Sequence, residues 1–109
     1  MQKVYRREQA RRDLVERFVC LADNAGLAVA ERFLRNAETS FNELASSPLI
    51  GSPLTLRNPK LAGMRKWCVK DFDNILIFYM PRHDGVSVVR VLHAAQDWWG
   101  LLGLVQQEA

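Results

Sequence analysis

The chain has 109 residues, 49% of them hydrophobic, which fits one domain over residues 1–109 with a single modest core. Its 15 Lys and Arg against 12 Asp and Glu give a net charge of +3, a bias toward anionic partners too mild to assign one. The basic N-terminus MQKVYRREQARRDL has no apolar core of signal-peptide length, and no later run approaches the roughly 18 apolar residues of a membrane span, so a cytoplasmic protein with no membrane partner is expected.

Residues 3 to 6 are strand-like, though four residues carry a weak signal. From residue 9 to 23, Ala10, Leu14, Phe18, Leu21 and Ala22 recur at helical spacing and mark one amphipathic face. Asn24 and Gly26 supply a stop. Ala30, Phe33, Leu34, Ala37, Phe41, Leu44 and Ala45 then repeat the period until Ser46, Ser47 and Pro48 end it, so a helical hairpin is expected. Between Ser47 and Lys60 the periodicity vanishes and Pro48, Pro53 and Pro59 appear, the pattern of an ordered loop without regular structure. After Gly63 the segments MRKWCVKDF, NILIFYM and VSVVRVLH are strand-length and rich in β-branched and aromatic residues. Their connections are short, one holding Asp84-Gly85, so these strands should pair antiparallel. NILIFYM is apolar on both faces and should lie mid-sheet. In the strand before it, Lys66, Cys68 and Lys70 alternate with Arg65, Trp67 and Val69, which predicts a wet, basic face. The expected fold is α+β: a short N-terminal strand and a helical hairpin packed on a three- to four-stranded antiparallel sheet.

The two cysteines, Cys20 and Cys68, have neither CxxC spacing nor a nearby His, and are expected as buried reduced thiols; no metal site or cofactor is predicted.

The segment VVRVLHAAQDW, residues 88–98, holds the candidate chemistry. His93 has two readings, a general base or a strand-end brace bonded to Asp97, and the absence of a serine, cysteine or second acid beside it in sequence favours the brace. Asp97 is also placed to cap a final helical turn. Arg90 interrupts an apolar strand in phase with Val88 and Leu92, so it either snorkels from the sheet edge or points inward to meet an anion. Beyond it, Trp98, Trp99, Leu101, Leu102, Leu104 and Val105 form an apolar tail, either core against the hairpin or the anchor of a partner interface.

Taken together, A..DL at residues 10–14, AERFL at 30–34, PLIG at 48–51, GMRKW at 63–67, ILIFY at 75–79 and VVRVLHAAQDW resemble the ParE branch of the RelE/ParE toxin superfamily over almost the whole chain. The chain departs from that pattern at Gln96, where arginine is usual, which removes one positive charge. The resemblance implies the toxin of a bacterial type II toxin–antitoxin module, which stabilises a plasmid or chromosome. It further implies a non-catalytic inhibitor of DNA gyrase, neutralised by a cognate antitoxin, with no sequence-specific DNA binding by this chain alone. The candidate target-binding residues are Arg65, Lys66, Lys70, Arg90 and His93, and the candidate partner-binding residues are Trp98, Trp99, Leu101 and Leu102. The alternative is a RelE-like ribosome-dependent mRNA endoribonuclease. That chemistry needs proton-transfer groups and cations around a developing phosphorane, and beyond Arg90 the chain has no Lys, Arg or Tyr.

Overall fold

The structure is a computed structural model and describes residues 2–54 and 62–96. Chain order is β1 (Lys3–Arg6), α1 (Glu8–Ala25), α2 (Leu27–Ser46), β2 (Ser52–Pro53), β3 (Arg65–Val69), β4 (Phe72–Arg82) and β5 (Gly85–His93). The hairpin predicted from periodicity is present, and its two helices are longer than the apolar repeats alone suggested. Only Gly26 separates them, at φ +100°, a conformation that carries little penalty without a Cβ.

The helices pack on one face of a five-stranded sheet of order β1-β5-β4-β3-β2. As expected, β3, β4 and β5 pair antiparallel and β4 is central. Two features correct the expected antiparallel sheet of three or four strands. β1 lies parallel to β5, with Lys3 opposite Gly85 and Arg6 opposite Val88. The helical hairpin and strands β2 to β4 all lie between them in sequence, well beyond the dozen or so residues that a connection between parallel neighbours requires. Ser52 and Pro53, inside the proline-rich loop, pair with Lys66 and Arg65 as a two-residue edge strand too short to leave a periodic signal.

β4 is apolar on both faces because each covers a different cluster. Ile75, Ile77 and Tyr79 join Phe33, Phe41 and Leu44 of α2, Ala10 and Leu14 of α1, and Val86, Val88 and Val91 of β5. Leu76 and Phe78 face away from this core and gather with Met64 and Leu92. The face of β3 predicted to be wet and basic therefore borders a buried apolar cluster. Lys70 follows a register shift at Cys68/Val69 and sits at the α2 side, where its N–H donates to Ser40 Oγ and its carbonyl accepts from Asn36 Nδ2. Both cysteines are free, as expected, but exposed rather than buried. Cys20 lies on the outer face of α1, and Cys68 on the face of β3 away from the main core.

Candidate functional site

Two hydrogen-bonded knots hold most of the residues singled out in the sequence. The first ties the loop after α2 to the sheet. Tyr79, fully buried on β4, donates its hydroxyl to Pro48 O at 2.7 Å and accepts from Gly51 N–H at 2.9 Å. Arg65, opposite Tyr79 on β3, donates from Nε to Gly51 O at 2.9 Å and from Nη2 to Leu49 O at 3.1 Å. Burial raises the Tyr79 pKa above the ordinary tyrosine value, with the Gly51 N–H and the Arg65 cation opposing, so the hydroxyl stays protonated and can donate. Gly51 is required by space. A Cβ there would stand 2.5 Å from the Tyr79 hydroxyl and 2.8 Å from Lys66 O.

The second knot lies one strand further along the sheet, where α1 packs against β5 and Arg90 is opposite Phe78, the neighbour of Tyr79. β1 stops pairing when Arg7 N–H reaches Val88 O. Beyond that point the register steps from Tyr79↔Val88 to Phe78↔Arg90, leaving Val89 as the extra residue of a β-bulge. Asp13 of α1 takes over where β1 ends. Its Oδ2 accepts the Val91 N–H at 2.9 Å and the Arg90 Nε at 2.7 Å, and its Oδ1 accepts Arg90 Nη2 at 2.9 Å. The anion that Arg90 meets is thus a carboxylate of its own chain. Hydrogen bonds from Arg90 to Asp13 raise the arginine's pKa further, against the opposing effect of burial.

His93 closes β5 through a tight turn. Its Nδ1 accepts the Ala95 N–H at 2.9 Å, its carbonyl accepts the Gln96 N–H, and its own N–H donates to Gln96 Oε1 at 2.7 Å. Gln96 Oε1 also accepts from Arg17 Nη2 of α1 at 3.4 Å. An arginine at this position would have no acceptor for the His93 N–H, and Arg17 brings a cation to the same corner. Asp97 and the apolar residues Trp98, Trp99, Leu101 and Leu102 lie outside the described residues, so the expected brace from His93 to Asp97 and the apolar tail have no structural account here.

Of the predicted target-binding residues, Arg65 and Lys66 are neighbours on β3, and Lys66 and Arg90 flank Phe78 in one cross-strand row. Arg65, Arg90 and His93 are each engaged in the bonds above. Lys70 stands apart at the α2 edge. Asp13, Gly51 and Arg17 did not emerge as site residues from sequence. The available signal was that PLIG, the arginine of GMRKW and the tyrosine of ILIFY occur together in one chain, and all three meet in the first knot.

A family model described as the ParE toxin of the type II toxin–antitoxin system parDE matches residues 4–98. The chain belongs to the ParE toxin family. The fold also matches a solved structure, the chromosomal ParDE toxin–antitoxin system from P. aeruginosa, with a TM-score of 0.68 at 13% identity, covering 85% of this chain and 96% of that one. At that identity the likeness concerns the fold. A search of curated proteins returned no match. Membership in the ParE family makes the chain a type II toxin of a toxin–antitoxin module, and matches the fold expected from its motifs. Among the described residues no helix is long and apolar enough to cross a membrane.

Proposed function

We propose that this ParE-family toxin acts by binding DNA gyrase, not by chemistry of its own, and that a cognate antitoxin neutralises it. Family membership supports the class. The binding mode is supported by one observation: the motif groups suited to proton transfer or charge stabilisation, Tyr79, Arg65, Arg90 and His93, are committed to holding the fold. Tyr79 and Arg65 secure the loop at Pro48–Gly51, Arg90 is paired with Asp13, and His93 Nδ1 is occupied by a backbone N–H. A general base needs a free lone pair within reach of the proton it removes, and the imidazole nitrogen best fixed by the turn has none.

Purified protein should inhibit gyrase supercoiling and leave cleaved DNA trapped, while ribosome-bound mRNA stays intact. Codon-specific cuts in mRNA with gyrase unaffected would replace this reading with a ribosome-dependent endoribonuclease. Expression of the chain alone should arrest growth, and co-expression with the antitoxin of its module should restore it. Normal growth with high soluble yield of the chain alone would count against an active toxin.

A further inference from the structure

The chain's positive charge is concentrated in one corner. Residues 1–12 hold Lys3, Arg6, Arg7, Arg11 and Arg12 against Glu8 alone, and the rest of the chain carries ten Lys and Arg against eleven Asp and Glu. The fold sets these cations on both sides of β1. Arg6 turns to the helix side, over the Phe41 ring and paired with Glu38 of α2, and Arg11 lines a shallow recess with Val4, Tyr5 and Arg6. Lys3, Tyr5 and Arg7 alternate to the other face, where the Tyr5 hydroxyl reaches Asp84 and the Arg7 guanidinium reaches Ser87 and Met80. Arg82 joins them from the end of β4, its guanidinium 4.3 Å from the centre of the Tyr5 ring.

Few carboxylates offset this charge. Glu38 pairs with Arg6, Glu8 with Arg12, and Asp84 with Arg82, while Lys3, Arg7 and Arg11 form no ion pair among the described residues. All three are exposed. Four residues of extended strand place Lys3 and Arg7 about 13 Å apart, the axial rise of roughly four base pairs of a duplex.

We infer that this corner binds the phosphate backbone of duplex DNA, independently of base sequence, through Lys3, Arg7, Arg11 and Arg82. Side-chain cations without carboxylate partners, spread over a projecting strand, suit a backbone that is negative along its whole length, and contacts to phosphate carry no base information. A single strand would require open aromatic faces on which its bases stack. Tyr5 does not offer one there, since Arg82 covers a face of its ring and Asp84 holds its hydroxyl. The choice of DNA over another polyanion rests on the reading of gyrase as the target, because a toxin on that enzyme lies beside the duplex the enzyme holds. The contact adds a charge-dependent anchor to whatever surface meets the protein.

The test is fluorescence anisotropy of the full chain with a short labelled DNA duplex of arbitrary sequence, without gyrase. The logarithm of the binding constant should fall with the logarithm of salt at a slope of about −3 to −4, near 0.9 for each phosphate neutralised. Lys3→Ala and Arg11→Ala should each reduce that slope by about 1 with the melting temperature unchanged. Arg32→Ala removes an equal charge beside Phe72, at the opposite end of β4, and should leave the slope as it is. A slope near zero overturns the proposal, and so does an equal loss for Arg32→Ala, which would mark a response to net charge alone. Tighter binding of a single-stranded oligonucleotide, an RNA duplex or polyglutamate of equal charge would assign the corner to another partner and overturn it too. A gyrase supercoiling assay on the same proteins keeps the two readings apart: binding to the duplex with gyrase untouched refutes the target and upholds the contact, whereas gyrase inhibition without duplex binding refutes the contact alone.

Discussion

Asp13→Ala is the perturbation that most sharply tests the second knot. Removing one partner of a buried ion pair costs about 3–5 kcal/mol, because the remaining charge stays desolvated. The Asp13 and Arg90 side chains are 6% and 15% exposed, which sets the loss near the lower end, about 3 kcal/mol. The Val91 N–H loses its acceptor in the same step and adds about 1 kcal/mol. At roughly 4 °C per kcal/mol for a domain of this size, the combined loss of about 4 kcal/mol should lower the melting temperature by about 16 °C, and the urea midpoint should move with little change in slope. Arg90 has a further contact besides Asp13, so the double variant Asp13→Leu with Arg90→Met should recover much of this loss without reaching the wild type. A loss below about 1 kcal/mol for Asp13→Ala would mean the pair is effectively solvated, like a surface salt bridge. If Arg90→Met abolished toxicity with the melting temperature unchanged, the guanidinium would be serving the target instead of Asp13.

Tyr79→Phe should cost about 2 kcal/mol by denaturant melting, since both Gly51 N–H and Pro48 O lose a buried partner; Gly51→Ala should cost more, because its Cβ overlaps Lys66 O as well as the tyrosine. His93→Ala should lower stability by about 1 kcal/mol or less through the lost Ala95 bond, with toxicity in cells falling only as far as folded protein does. The Tyr5 hydroxyl holds the Asp84 carboxyl below the usual carboxylate range, so the stability this contact gives is present above about pH 4 and lost as pH falls through the depressed folded value. Thermal melts between neutral and acid pH should show that limb in the wild type and a weaker one in Tyr5→Phe. Native protein should titrate both Cys20 and Cys68 with a thiol reagent before unfolding; reaction only after denaturation would restore the buried-thiol expectation.

What the sequence made legible was whatever is encoded by local period. The α2 face from Ala30 to Ala45 and the two-sided apolar run of β4 were plain because burial imposes a repeat on neighbouring residues. The parallel docking of β1 on β5 was not, because it joins residues about eighty positions apart through a strand with too few residues to show alternation. The Asp13–Arg90 pair was hidden for the same reason. Arg90 alone could be read as snorkelling or as meeting an anion, but nothing in the sequence named Asp13 as that anion, and only the bulge at Val89 and the end of β1 at Arg7 bring them together. Cys20 and Cys68 were misplaced because a thiol is hydrophobic enough to suit a core but small enough to be tolerated on a surface.

The motif residues turn out to be fasteners. Asp13 of A..DL meets Arg90 of VVRVLH; PLIG meets the arginine of GMRKW and the tyrosine of ILIFY; His93 and Gln96 close the turn that Arg17 steadies. Each joins segments distant in sequence, and each replaces backbone pairing at a place where a strand or helix stops. Such contacts specify one topology, since a loop or helix end that lost them would leave buried polar groups unsatisfied. The exposed groups that a partner could touch lie partly inside the motifs, at Leu34, Leu49 and Ile50, and partly outside them, at Lys3 and Arg11 near β1 and at Val15, Val19 and Leu27 of the hairpin. Fasteners and contact surfaces answer to different physical demands, so a change such as Arg11→Glu can leave every fastener intact. That separation explains why this sequence announces its fold through the buried members of VVRVLHAAQDW and its companions, while the choice of target must be read from exposed side chains, whether or not they lie in a motif.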